Sequence, residues 1–129
     1  MSAVDRLLAE ARLDLRRVDA QEAKQIHDGG GLLIDIRPAA QRAEFGGIAE
    51  ALVVERNDLE WRLDPGGSHR LPEAADPDRP VVIVCQEGYA SSLAAASLLH
   101  LGRTAVTDLD GGFVAWKNAG LPTMAGSRP

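Results

Sequence analysis

Four consecutive branched aliphatic residues, Val81-Val82-Ile83-Val84, stand between Pro80 and a segment of small and polar residues that begins at Cys85. The run is too short for a buried helix and has no polar alternation, so it predicts a strand covered on both faces. Leu32-Leu33-Ile34-Asp35-Ile36-Arg37, stopped by Pro38, and Ala51-Leu52-Val53-Val54 read as further strands, as does Ala105–Leu109, which leads into Gly111-Gly112. Between these runs the spacing turns helical. Ser91–Leu101 and Phe113–Ala119 read as helices, and Asn57 is placed to cap a short one carrying Leu59, Trp61 and Leu63. Short apolar strands alternating with helices require a parallel sheet with a helical layer on each side. The expected fold class is therefore α/β, three layers, with a small parallel sheet flanked by helices.

Toward the N-terminus, Val4, Leu7, Leu8, Ala11 and Leu15 share one face of a predicted helix over Ala3–Leu15. Asp19 and Glu22 form a capping-box pattern that opens a second helix, whose end is marked by Gly29-Gly30-Gly31. These glycines follow a helix and precede a strand, the reverse of what a phosphate cradle needs, and they read as a cap and turn. From Asp64 to Pro80, repeated Pro and Gly forbid long regular structure. The expected organisation is an N-terminal helical extension over 1–17 and one domain over 18–129. The extension has three readings: packing on the domain, joining two copies as a homodimer, or holding a partner. With 45% hydrophobic but only 4% aromatic residues, the core must be built from Leu, Val, Ile and Ala.

Charge narrows the partners. A net charge of -5, with no continuous basic stretch, argues against nucleic acid and against an anionic membrane surface. No segment has the charge-free length of a membrane span, and charges at Asp5, Arg6, Glu10 and Arg12 break up any signal-peptide core. One cysteine cannot make an internal disulfide, which points to a reducing, cytoplasmic setting.

That cysteine is the candidate reactive group. Cys85 falls where a buried strand meets the segment Gln86-Glu87-Gly88-Tyr89-Ala90-Ser91-Ser92, which opens a helix. Unpaired N–H groups and the positive end of a helix dipole at such a place stabilise a thiolate and any negative charge added to it. Gly88 permits the positive φ of a tight cradle, and Ser91 or Ser92 is placed to cap the helix. The competing reading of an isolated cysteine at a strand end is a small buried hydrophobe. His27, His69 and His100 have no metal-site spacing to one another or to Cys85; His27 and His100 read as helix-end residues, and no metal or cofactor is expected.

Four pieces in order, Leu33-Ile34-Asp35-Ile36-Arg37, Glu44-Phe45-Gly46-Gly47-Ile48, the strand ending at Cys85, and Gly111-Gly112-Phe113-Val114-Ala115-Trp116, resemble a single-domain rhodanese from about Val18 to Pro122. The resemblance implies a small doubly wound domain whose Cys85 carries sulfane sulfur as a persulfide. It also implies that Gln86, Glu87, Gly88, Tyr89, Ala90 and Ser91 cradle that sulfur, with Asp35 and Arg37 in the family's D-x-R positions. The residues themselves leave open a purely structural ion pair for Asp35 and Arg37. The partners implied are a sulfur donor and a thiol or protein acceptor. Cys85 through Ala90 matches the six-residue rhodanese loop; the related phosphatases carry a longer one.

Two departures stand out. Ala90 occupies the position where thiosulfate-handling loops place a cation, and Glu87 adds a negative charge, so thiosulfate is expected to be a poor donor. Phosphatase or arsenate-reductase chemistry fits less well, because the loop lacks a guanidinium for an oxyanion. Gly47 stands where many family members have His, which removes a side-chain tether. Arg56, Arg62, His69 and Arg70 read as solvated charges, any of which could instead fold over the loop. Tyr89 is placed to shape the pocket mouth or contact a partner protein. The alternative to a sulfurtransferase is a rhodanese-like binding or regulatory module without turnover.

Overall fold

The computed structural model describes residues 1–126. Its elements run α1 (Ala3–Arg12), β1 (Arg16–Val18), α2 (Ala20–Asp28), β2 (Leu32–Asp35), α3 (Ala39–Phe45), β3 (Leu52–Val53), α4 (Leu59–Leu63), β4 (Val81–Val84), α5 (Ala90–His100), β5 (Val106–Leu109) and α6 (Gly112–Asn118). All strand pairs are parallel and the sheet order is β1-β5-β4-β2-β3. This is the α/β sheet flanked by helices that the apolar runs predict.

Alternation along β2 and β4 divides the core. Leu32, Ile34, Val81, Ile83 and Cys85 face one side, packed with Leu59, Leu63, Ala94, Ala95 and Leu98 of α4 and α5. Leu33, Val82 and Val84 face the other, against Ala20 and Ala23 of α2 and Phe113 and Trp116 of α6. Cys85 therefore continues the α4–α5 face of its strand and lies at the carboxyl edge of the sheet, where α/β chemistry gathers.

Several elements differ from expectation. The first helix stops at Arg12, because Arg16–Val18 leaves helical geometry to pair with Thr107–Leu109 of β5. The sheet thus begins inside the 1–17 segment; at the other end, positions 127–129 of the 18–129 unit lie outside the described residues. Val4 and Leu7 are exposed on α1, whereas Leu15 is buried in the domain core. Asp19 caps α2 by accepting the Glu22 N–H at 2.8 Å, but the Glu22 carboxylate turns to Arg16, so only one half of the predicted box forms. Asn57 lies inside a 3-10 turn (Arg56–Asp58) and caps no helix, and Trp61 faces solvent while Leu59 and Leu63 fill the core. Helix α3 has no buried residue and left no periodic signal.

The irregular connection is pinned by a side chain from beyond it. The buried Arg103 guanidinium donates to the carbonyls of Leu63, Ala74 and Asp76 at 3.1, 2.9 and 3.0 Å. Burial lowers its pKa, with the charge of Asp76 opposing that and Arg79 adding to it. Carbonyl dipoles stand in for a carboxylate there, which lets a Pro-rich stretch hold one path.

Candidate functional site

Cys85 sits one residue past β4, and the chain then turns tightly into α5. The turn depends on Gly88, whose φ of 91° lies in the left-handed region that side chains disfavour. That conformation points the Gly88 N–H at Cys85 Sγ, 3.1 Å away, and Ser91 N–H reaches the same sulfur at 3.3 Å. The sulfur thus accepts two backbone donors and lies against the first turn of an eleven-residue helix. It is 6% exposed, facing a shallow mouth of about 200 Å3 lined by Gln41, Gln86, Glu87, Tyr89 and Ala90. The described residues hold no group of three or more His, Cys, Asp or Glu side chains suited to a metal.

Carbonyls of the loop are drawn the other way. Phe113 N–H donates to the Cys85 carbonyl at 2.8 Å and Val114 N–H to that of Gln86 at 3.2 Å, so the first turn of α6 holds the loop from beneath. The approach needs glycine at 112: φ is 59°, and an added Cβ would fall on the Cys85 carbonyl oxygen and 2.7 Å from the Gln86 carbonyl carbon. Gly112→Ala should therefore cost about 1–3 kcal/mol and disturb the cradle together with the fold. Urea denaturation measures the first, and the rate of Cys85 alkylation in the folded protein measures the second.

Asp35 and Arg37 meet in a buried, forked pair. Arg37 Nη2 lies 2.8 Å from Asp35 Oδ2 and Nε 3.0 Å from Oδ1, while the Arg37 backbone N–H donates to Oδ1 at 3.0 Å. The remaining donors reach outward, Nη1 to Gln86 Oε1 at 2.9 Å and Nη2 to the Gly46 carbonyl at 2.9 Å; the guanidinium also stacks 4.2 Å from the Phe113 ring centre. Arg37 thereby links the end of β2, the α3 exit, the cysteine loop and α6. Its contacts within the described chain are with supporting groups, one step from the sulfur.

Gly47 lacks the side-chain tether, and its backbone supplies another. Gly47 N–H donates to the Met124 carbonyl at 3.0 Å and the Gly47 carbonyl accepts from Met124 N–H at 2.8 Å, which lays the C-terminal segment beside the α3 exit.

Ser91 and Ser92 do not cap α5. Both lie inside its first turn and donate their hydroxyls to Asp108 Oδ2, at 2.7 and 2.8 Å, because the fully buried carboxylate at the end of β5 offers a stronger acceptor position. Asp108 is completed by Arg17, whose Nε and Nη2 approach its two oxygens at 2.9 and 3.1 Å. Partial burial alone lowers the Arg17 pKa, but Asp108, Asp110 and the charge of Cys85 outweigh it and hold the guanidinium above its ordinary value.

The cations named from sequence are engaged elsewhere. Arg56 pairs with Glu60 at 2.8 Å, Arg62 donates to the His69 carbonyl, and Arg70 donates to that of Gly67. Besides Arg37, two further guanidiniums reach the loop: Arg12 and Arg17 come from the N-terminal segment and grip the Gly88 carbonyl. Local sequence carries no sign of them, since the contacts arise only when α1 packs on α5 and β1 joins the sheet beside β5. Gln41 was equally hidden, although the helix-forming residues of Ala39–Phe45 are a signal that propensity could have read.

Known proteins match this arrangement. A model of the rhodanese-like domain fits residues 19–119. A protein of Stutzerimonas stutzeri named thiosulfate sulfurtransferase GlpE is 32% identical over 81% of this chain and 87% of its own length. A sulfurtransferase of Allochromatium vinosum is 36% identical over 73% of this chain and 78% of its own. Among solved structures, a Rhodopseudomonas palustris protein of unknown function, described as a possible tyrosine phosphatase, superposes with a TM-score of 0.84 at 28% identity, covering 95% of both chains. Family model, sulfurtransferase relatives and parallel sheet agree: the chain belongs to the rhodanese-like domain family.

Proposed function

We propose that the protein is a sulfurtransferase that carries sulfane sulfur on Cys85. The observation behind this reading is that two backbone N–H groups converge on Sγ, and the bonds to that sulfur in the described residues come from the backbone alone. Sulfur transfer between anionic sulfur species needs no general base, only a site that tolerates negative charge. The Cys85 thiolate attacks the sulfane sulfur of a donor, the donor's S–S bond breaks, and the leaving group departs with the electron pair. The persulfide anion keeps the Gly88 and Ser91 donors. An acceptor thiolate then attacks the outer sulfur, and the Cys85 thiolate leaves. The accepting thiol is a small molecule or a protein thiol that meets the exposed Tyr89 rim, and the chemistry suits a reducing cytoplasm.

The donor is a polysulfide or a persulfide in preference to thiosulfate. Among the described residues the mouth is lined by Glu87 and Ala90 and by no cation, so a dianion meets the repulsion of Glu87 there. Relatives named for thiosulfate lend the reaction class; the loop of this chain argues for a different donor. Phosphoryl transfer is disfavoured because the Arg37 guanidinium is fully buried and occupied by Asp35, Gly46 and Gln86.

Steady-state assays with polysulfide, glutathione persulfide and thiosulfate test the proposal. Turnover should be fastest with the first two. Ala90→Arg should raise kcat/KM for thiosulfate by about tenfold, the worth of one hydrogen bond to a charged group. Absence of turnover with every donor would favour a binding module. Unchanged thiosulfate kinetics in folded Ala90→Arg would show that charge at this position does not select the donor.

A further inference from the structure

The two residues whose amides reach the sulfur, Gly88 and Ser91, are both held from behind by one half-buried network. Gly88 turns its N–H to Sγ and its carbonyl away from it, and that carbonyl accepts Arg17 Nη2 at 2.7 Å and Arg12 Nη2 at 2.9 Å. Ser91 is fixed by its hydroxyl on Asp108, the carboxylate that also binds Arg17. Ser92 closes the circuit, donating to Asp108 at 2.8 Å and accepting Arg12 Nε at 3.0 Å. Arg17 is offset by Asp108 and Asp110, whereas Arg12 forms no ion pair with a carboxylate among the described residues.

We propose that Arg12 and Arg17 are positioning residues of the sulfur cradle, so that the N-terminal segment is part of the working site. The proposal rests on the persulfide reading and extends it. A glycine with positive φ has other accessible conformations, and two charge-assisted hydrogen bonds on its carbonyl select the one in which its N–H meets the sulfur. Arg12 adds uncompensated positive charge behind a loop whose own residues supply none. Arg17 carries the structural load as well, since Asp108 is fully buried. Arg12, at the last turn of α1, separates the two roles.

The test uses Arg12→Gln and Arg12→Lys in the full chain. Because Cys85 is the only cysteine, its alkylation by iodoacetamide at fixed neutral pH reports on this site alone. In Arg12→Gln, alkylation and sulfur loading from polysulfide should each slow about tenfold, the size of one charge-assisted hydrogen bond, while the melting temperature stays near that of wild type. The Gly88 amide resonance should shift. Arg12→Lys, which keeps the charge and one donor, should recover part or all of the rate. If the Gln variant does not fold, the Lys variant still decides, because exchange of the fork for one donor must move the Gly88 resonance. Alkylation at the wild-type rate with an unmoved Gly88 resonance overturns the proposal, as does a lower melting temperature with unaltered alkylation. Should wild type accept sulfur from no donor, the sulfurtransferase reading fails, while alkylation and the Gly88 resonance still judge the positioning role.

Discussion

Cys85→Ser abolishes sulfur transfer and leaves the domain folded. A serine hydroxyl can accept the Gly88 and Ser91 N–H groups that now point at Sγ, so the loop keeps its backbone partners. The substitution removes little volume at a site already next to the mouth, and a stability change within about 1 kcal/mol is expected. Chemistry is another matter. An unassisted hydroxyl stays protonated at neutral pH and cannot attack a sulfane sulfur, and among the described residues no base is bonded at this position. Hydrogen sulfide release from polysulfide and dithiothreitol should fall to the uncatalysed background, with far-ultraviolet dichroism and melting close to wild type. Residual turnover within tenfold of wild type would move the reactive group elsewhere.

Arg37→Ala should be the most damaging change to stability, at about 3–5 kcal/mol, because it leaves a carboxylate buried without its partner. Asp35 is 1% exposed and its two oxygens accept Nε and Nη2 of Arg37. Truncation also strips donors from Gln86 and Gly46 and the cation from the Phe113 face. Asp35→Ala/Arg37→Ala, which removes both charges, should recover part of the loss, since no uncompensated charge remains. Chemical denaturation of the two variants against wild type measures the difference. A double variant as unstable as Arg37→Ala would mean that the damage comes from the lost packing and loop bonds instead of the orphaned carboxylate.

What the sequence revealed follows from how local each feature is. Strand β4 and the first three residues of β2 are legible because burial on both faces writes an apolar run, β5 with its Thr107 and Asp108 is legible from its place between two helical patterns, and the Cys85 loop is legible because its residues adjoin in the chain. Strand β1 was hidden: it is three residues long, two of them arginines, and joins the sheet through backbone bonds to β5. Arg17 enters the loop only from β1, so its contact with Gly88 is hidden with the strand. Helix α3 escaped for a different reason, having no apolar face to bury. The place of Ser91 and Ser92 before a helical pattern predicts caps; that they bind Asp108 instead depends on β5 lying beside β4, a long-range pairing with no local trace. Arg37 was legible as a partner of Asp35, two residues away, but its reach to Gln86 was not.

Intact-protein mass spectrometry of the wild-type chain after brief exposure to polysulfide tests persulfide carriage most directly. The account predicts a gain of one sulfur atom, located on the Cys85 peptide, and its stoichiometric loss on addition of a thiol with regeneration of the original mass. A protein that gains no sulfur from any donor, or that holds the added sulfur unchanged in excess thiol, would contradict it.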